Sequence, residues 1–166
     1  LARSVSNAID YVSDHEEENS FGRSIASWFI NAFPLLGAIA ASFKVVDDIE
    51  ECRKYDISIA AVDAYEGIIY INTSKNMSEE EWRFVMAHEF LHAALLHHRR
   101  SAGRDPYLWN IATDYVINGW LFEMQIGVMP EGVLYDPALK NKSAEEIYDM
   151  ICQDMRIYMK MNTFNR

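Results

Sequence analysis

Residues 88–92 read His-Glu-Phe-Leu-His within a stretch whose apolar residues recur at helical spacing, and this pentapeptide constrains the fold more than any other part of the chain. On a helix of 3.6 residues per turn, His88 and His92 project from one face, ~40° apart and ~6 Å along the axis. Two neutral imidazoles so placed can share one Zn2+, and Glu89 beside them can take a proton from a water that the metal acidifies. The fold must therefore keep this stretch helical and bring a further ligand to it, because a catalytic zinc usually has three protein ligands and one water.

The helix has a clear start. Ser78 and Glu81 form a capping-box pair, followed by Trp82, Val85, Met86, Phe90 and Leu91, and the spacing predicts a helix to about His98. Arg99 to Gly103 reads as a turn, with basic residues suited to a helix C-terminus. Asp105-Pro106 then supplies an N-cap and a first-turn proline for a second helix to about Met124. If that helix folds back antiparallel, His92 to Arg99 covers ~10 Å and Pro106 to Asp114 ~12 Å, so Asp114 comes level with the histidines. Asn110 and Asn118 lie four residues either side, on the same face, among Ile111, Val116, Ile117 and Leu121. A buried Asn-Asp-Asn strip without partners would be costly; orienting a metal-bound carboxylate and the groups around it accounts for it. His97 and His98 compete for the ligand role. On an unbroken helix they lie ~140° and ~240° around from His92, and Ala93-Ala94-Leu95-Leu96 favours helix. They are read as helix-end residues near the C-terminal dipole, and Asp114 as the third ligand.

Elsewhere, residues 1–20 mix Ser and Asn with the acidic run His15-Glu16-Glu17-Glu18 and read as an arm or a solvated helix. Phe21, Ile25, Trp28, Phe29 and Ala32 have helical spacing up to Pro34; Leu35 to Ser42 reads as a second buried helix and Phe43 to Val46 as a short strand. Ile57–Val62 and Ile68–Asn72 read as strands joined by a turn at Asp63–Gly67. A loop with Pro130 and Pro137 precedes a last helix opened by Ser143 and Glu146 and running through Ile147, Met150 and Ile151. The expected fold is α+β, mostly helical with a small mixed or antiparallel sheet beside the HExxH helix. The chain divides into an N-terminal arm or helix over 1–20, one domain over 21–155 and a tail over 156–166.

Composition bounds the partners. Half of the 166 residues are hydrophobic, enough for a substantial core, and a net charge of −10 argues against nucleic acid or an anionic membrane. The longest apolar run, Phe33–Phe43, is broken by Pro34, Gly37 and Ser42 and falls short of a membrane span. Cys52 and Cys152 are free thiols or one disulfide. The chain begins with Leu1, which reads as a fragment or a processed form, and a cytoplasmic location is the default.

The run HEFLHAALLHHRRSAGRDPYLWNIATDYVIN, with AVDAYEGIIYIN before it and MPEGVLYDPALKNKSAEEIYDM after it, resembles the metallopeptidase domain that precedes a von Willebrand A-like domain in a group of bacterial proteins. The resemblance covers roughly residues 21–151. It implies a zincin-like fold, zinc on His88 and His92, Glu89 as general base, and agreement with Asp114 as third ligand; a further histidine after the motif gives His97 a role near the metal. In zincins a peptide substrate often lies along a sheet edge, which points to Gly67–Thr73, with Ile68, Ile69, Tyr70, Ile71 and Asn72 as the edge strand. The chain departs from the family in one respect: nothing after residue 151 could form the von Willebrand A-like domain. The implied function is a zinc-dependent endopeptidase acting on polypeptides. The alternative is a catalytically silent zinc-binding module working with a von Willebrand A-like or ATPase partner.

Overall fold

A computed structural model of the chain describes residues 21–164. The expected arm over residues 1–20, with its run His15–Glu18, lies outside the described residues. The helix that carries the pentapeptide, α4 (Glu79–Ala94), begins as its sequence dictates: Ser78 Oγ accepts the Glu81 N–H and the Glu81 carboxylate accepts the Ser78 N–H, each at 3.1 Å. Before it come α1 (residues 21–32), α2 (Pro34–Ser42), β1 (Lys44–Val46), α3 (Ile49–Lys54), β2 (Ala60–Asp63) and β3 (Ile68–Ile71). After it come α5 (His97–Arg100), α6 (Pro106–Met124), a 3-10 turn at Pro137–Leu139 and α7 (Ala144–Phe164). The fold is α+β, mostly helical with one small mixed sheet.

Strand order is β1-β3-β2, with β1 parallel and β2 antiparallel to β3. The β2–β3 turn forms because Asp63 Oδ1 accepts the Tyr65 and Glu66 N–H groups at 3.0 Å, and Gly67 takes the positive φ of +67° that closes it. This order corrects one expectation. Ile68–Ile71 is the central strand, bonded on both sides, so Gly67–Thr73 offers no open edge to a peptide. β2 is the edge strand beside α4. Alternation in β3 buries Ile69 and Ile71 completely, and the sheet needs that apolar face against the helices more than it needs the hairpin at an edge.

One core gathers Phe29 of α1, Leu36 of α2, the β3 isoleucines and Trp82, Met86 and Phe90 of α4, with Ile117 and Leu121 reaching in from α6. Phe90 meets Phe29 edge to face at 5.3 Å between ring centres. On its other side α6 packs Trp109, Ala112 and Val116 against Ala144 and Ile147 of α7. Between α6 and α7 the chain must pass close to α4. Gly127, at φ +63°, allows it: a Cβ there would lie 2.3 Å from Glu80 O, and the neighbouring Val128 N–H donates to that carbonyl at 3.0 Å.

Three boundaries differ from expectation. The α4 helix stops at Ala94 and does not reach His98. α3, capped by Asp48 Oδ1 on the N–H groups of Glu50 and Glu51, is an additional helix. α7, expected to run through Ile147, Met150 and Ile151, continues to Phe164. Cys52 and Cys152 are both free thiols, Cys52 fully buried. No helix among the described residues is long and apolar enough to cross a membrane.

Candidate metal centre

α6 starts where Asp105 Oδ1 caps the Leu108 N–H at 3.0 Å and Pro106 fills the first turn. It runs antiparallel to α4, since His88 meets Asn118, His92 meets Asp114 and His97 meets Trp109. Three acceptor atoms converge between the helices. His92 Nε2 is 2.9 Å from His88 Nε2 and 3.0 Å from Asp114 Oδ1, and His88 Nε2 is 3.1 Å from the same oxygen. These are the residues among those described that could hold a metal ion together.

The tautomer of His88 follows from a chain of bonds. The Leu134 carbonyl can only accept, so Asn118 turns its Nδ2 to it at 2.9 Å and presents Oδ1 to His88 Nδ1 at 2.8 Å. His88 Nδ1 must then carry the proton, which leaves the Nε2 lone pair facing the centre. Burial pushes Asp114 up, but hydrogen bonds from His88 and His92, together with their charge, outweigh it and hold the carboxyl at about 2. For His88, burial acts downward, and the Asp114 hydrogen bond, the Glu89 and Asp114 charges and the Asn118 bond together leave it raised. Glu89 lies beside the histidines and accepts the Val62 N–H of β2; burial raises its pKa above the ordinary range despite the two imidazoles.

His97 stands differently from expectation. After Ala94 the chain makes a tight turn, Leu96 takes a left-handed φ of +52°, and α5 restarts at His97. The turn carries His97 into the interior, 4% exposed, with its Nδ1 3.1 Å from His92 Nδ1. Its carbonyl accepts the Trp109 indole N–H at 2.8 Å. These contacts offset the ~1–2 kcal/mol cost of a left-handed leucine. Burial, with His92 and Arg100 nearby, pushes His97 down to about 3, so the ring is neutral and its Nδ1 can accept from His92.

Asn118 is buried and bonded as described, whereas Asn110 lies exposed on the cleft wall and takes no part in the hydrogen bonds that hold the three acceptors. His98 and Tyr65 meet edge to face at 5.2 Å on the same wall. Sequence reasoning did not single out Tyr65; its place beside the cleft depends on the β2–β3 pairing. Arg104, Tyr107 and Tyr135 do not face the three acceptors: Arg104 stacks on Trp109 and Tyr148, Tyr135 packs on Phe122, and Tyr107 is 73% exposed outside the cleft lining.

Residues 24–160 match the family model described as "Putative metallopeptidase domain". No curated protein and no solved structure matches the chain. A match over most of the chain, around two histidines and an aspartate that meet at one point, means that the chain belongs to the "Putative metallopeptidase domain" family.

Proposed function

We propose that the chain is a zinc-dependent metallopeptidase of the HExxH type, with His88, His92 and Asp114 as metal ligands and Glu89 as general base. The observation that carries this reading is the convergence of three acceptor atoms within 3.1 Å of one another. Acceptors facing each other repel unless a proton or a cation lies among them. Two imidazole nitrogens and a carboxylate oxygen suit zinc, and a tetrahedral centre with bonds of ~2.0–2.1 Å spaces its ligand atoms ~3.3 Å apart, a few tenths wider than the triangle found. Asn118 and His97 fit the same reading as groups that fix the ring orientations of His88 and His92.

Bound zinc would supply Lewis acidity, polarising the scissile carbonyl and making water acidic enough to lose a proton near neutral pH. Glu89, beside the two histidines, would take that proton. Its raised pKa suits it to hold the proton while the water oxygen adds to the carbonyl carbon. It then returns the proton to the amide nitrogen as the C–N bond breaks, so the products are a carboxylate and an amine. The Val62 N–H, donating to Glu89, aims the carboxylate at the centre from the β2 side. A polypeptide substrate fits this arrangement because an open strand edge runs past the base.

The test combines metal content with cleavage. Wild type should hold one zinc per chain, His88→Ala and Asp114→Ala should lose it, and Glu89→Gln should keep it while cleaving peptides ~10²–10⁴-fold more slowly. Full zinc retention in Asp114→Ala would remove Asp114 from the ligand set; unchanged cleavage by Glu89→Gln would remove the mechanism.

A further inference from the structure

The α5 helix is a single turn, His97 to Arg100, entered through the left-handed Leu96. A helix this short is unstable by itself, so contacts from outside must hold it. Arg100 supplies them. Its Nη1 donates to Leu95 O at 3.3 Å, back across the left-handed residue. On the other side it reaches Glu145, in the first turn of α7, with Nε to Oε1 at 3.0 Å and Nη2 to both oxygens at 2.7 Å. One planar guanidinium thus spans the end of α4 and the start of α7, a fork that an ammonium could not reproduce. Arg100 O accepts from Arg104 Nη1 at 3.0 Å, and Arg104 lies over the Trp109 and Tyr148 rings. Trp109 completes the circuit by donating its indole N–H to His97 O.

We propose that Arg100 and Glu145 are positioning residues of the metal centre: the pair ties α5 to α7 and so holds His97 Nδ1 against His92 Nδ1. This role deepens the zinc reading of the centre and rests on it. Exposed ion pairs stabilise little as a rule. The side chains of Arg100 and Glu145 are 39% and 34% exposed, but they meet in bidentate fashion, and the guanidinium has a third acceptor in Leu95 O. What the pair contributes is direction. Without Glu145, Arg100 keeps one side-chain bond and can swing out to water. The Leu96 turn is then free to relax towards the straight helix that Ala93 to Leu96 favour, on which His97 points ~140° away from His92. A small displacement is enough to part a contact of 3.1 Å. The pair of Lys140 and Glu123, at 3.2 Å, has no such path, because Glu123 lies on the opposite face of α6 from Asp114.

The test uses the full chain. Zinc affinity is read by chelator competition in wild type, Glu145→Ala, Glu145→Gln and Glu123→Ala. Glu145→Ala should lose at least ~3-fold, though less than His97→Phe, because Trp109 still holds the His97 carbonyl. Glu145→Gln, which keeps one acceptor oxygen, should recover part of that loss, and Glu123→Ala should lose nothing. Added to His97→Phe, Glu145→Ala should cost no further affinity, to within ~2-fold, since both act on one contact. Ring-nitrogen NMR of the histidines in the metal-free protein gives a second readout: in Glu145→Ala the His97 Nδ1 resonance should move towards that of an unbonded nitrogen. Wild-type zinc affinity in Glu145→Ala, or an unmoved resonance, would overturn the proposal whatever happens to Tm. So would losses that multiply in the double variant, or an equal loss in Glu123→Ala. Should Glu145→Ala fail to fold, Glu145→Gln takes its place in each measurement. A wild type that binds no zinc would sink the metal reading alone, and the His97 resonance would still decide whether Glu145 holds the His92 contact.

Discussion

His92 and His97 meet Nδ1 to Nδ1 at 3.1 Å, although an unbroken helix would turn residues five apart to directions ~140° from each other. The left-handed Leu96 makes the contact, and the contact gives His92 an acceptor on the side away from Asp114. A neutral imidazole thus occupies the place that a carboxylate or carbonyl often takes behind a metal-binding histidine.

His97→Phe keeps a ring of similar size and removes the acceptor. Metal affinity should fall ~10–100-fold, because His92 Nδ1–H then loses its partner and the ring its fixed orientation. His97→Gln, whose amide oxygen can accept, should recover part of the loss. Competition against a chromophoric chelator measures both. Equal affinity in wild type and His97→Phe would mean that the pair only fills space.

Leu96→Gly should stabilise the protein. Leu96 is 45% exposed, so its side chain is only partly covered, while its φ of +52° costs ~1–2 kcal/mol that glycine avoids. After the loss of some apolar contact, a gain of ~1 kcal/mol should remain, which raises Tm by roughly 2–4 °C in a chain of this size. A lower Tm would show that the turn is held by the leucine side chain itself.

How much of this was legible in the sequence differs from element to element, for physical reasons. Both ends that place the two helices are written in short-range chemistry, the Ser78–Glu81 box and Asp105-Pro106, and the rise per residue then brings Asp114 level with His92. The turn at Leu95-Leu96 is not written locally, because Ala93 to Leu96 favours helix. It exists through contacts of His97 with His92 and Trp109 that only the tertiary fold supplies. Strand order was hidden likewise. The β2–β3 hairpin is local, but β1 adds to β3 across α3, and that pairing alone makes Ile68–Ile71 central. The Asp48 cap of α3 is written in Asp-Ile-Glu-Glu, but a helix of six residues is too short to show an apolar period beside it.

Metal binding should strengthen with pH in a way that reports His88. In the metal-free protein Asp114, held at about 2, lends stability that is present above the unfolded carboxyl value of ~3.9 and disappears as pH falls through its folded value. His88 is raised, so its contribution is complete below the unfolded imidazole value of ~6.5 and is lost as pH rises through its higher folded value. Between these limits the protonated His88 pairs with Asp114, and a metal has to displace that proton. The zinc-induced rise in Tm should therefore be small at pH 5, grow towards pH 8, and reach half its maximum above pH 6.5. A midpoint at or below 6.5 would contradict the raised His88.

Gly127→Ala tests how the segment after α6 is held against the centre. Its Cβ would stand 2.3 Å from Glu80 O and 2.7 Å from Phe84 N, both backbone atoms of α4 that cannot swing aside, and φ is +63°. The segment must then lift from the first turn of α4 and release the Val128 N–H from Glu80 O. A loss of ~3 kcal/mol follows from clash and strain together. The consequence should travel further than the contact itself. Residues 132–134 are carried by the same segment, and Leu134 O anchors the Asn118 amide that orients His88. Gly127→Ala should thus weaken zinc binding as well as lower Tm, whereas Gly132→Ala, at a positive φ but with nothing within 4 Å of the added carbon, should lower Tm by less and leave zinc affinity nearly unchanged. Calorimetry and chelator competition on the two variants separate these outcomes. If both lose zinc affinity equally, the path from Gly127 through Leu134 and Asn118 to His88 is not the one that holds the ring.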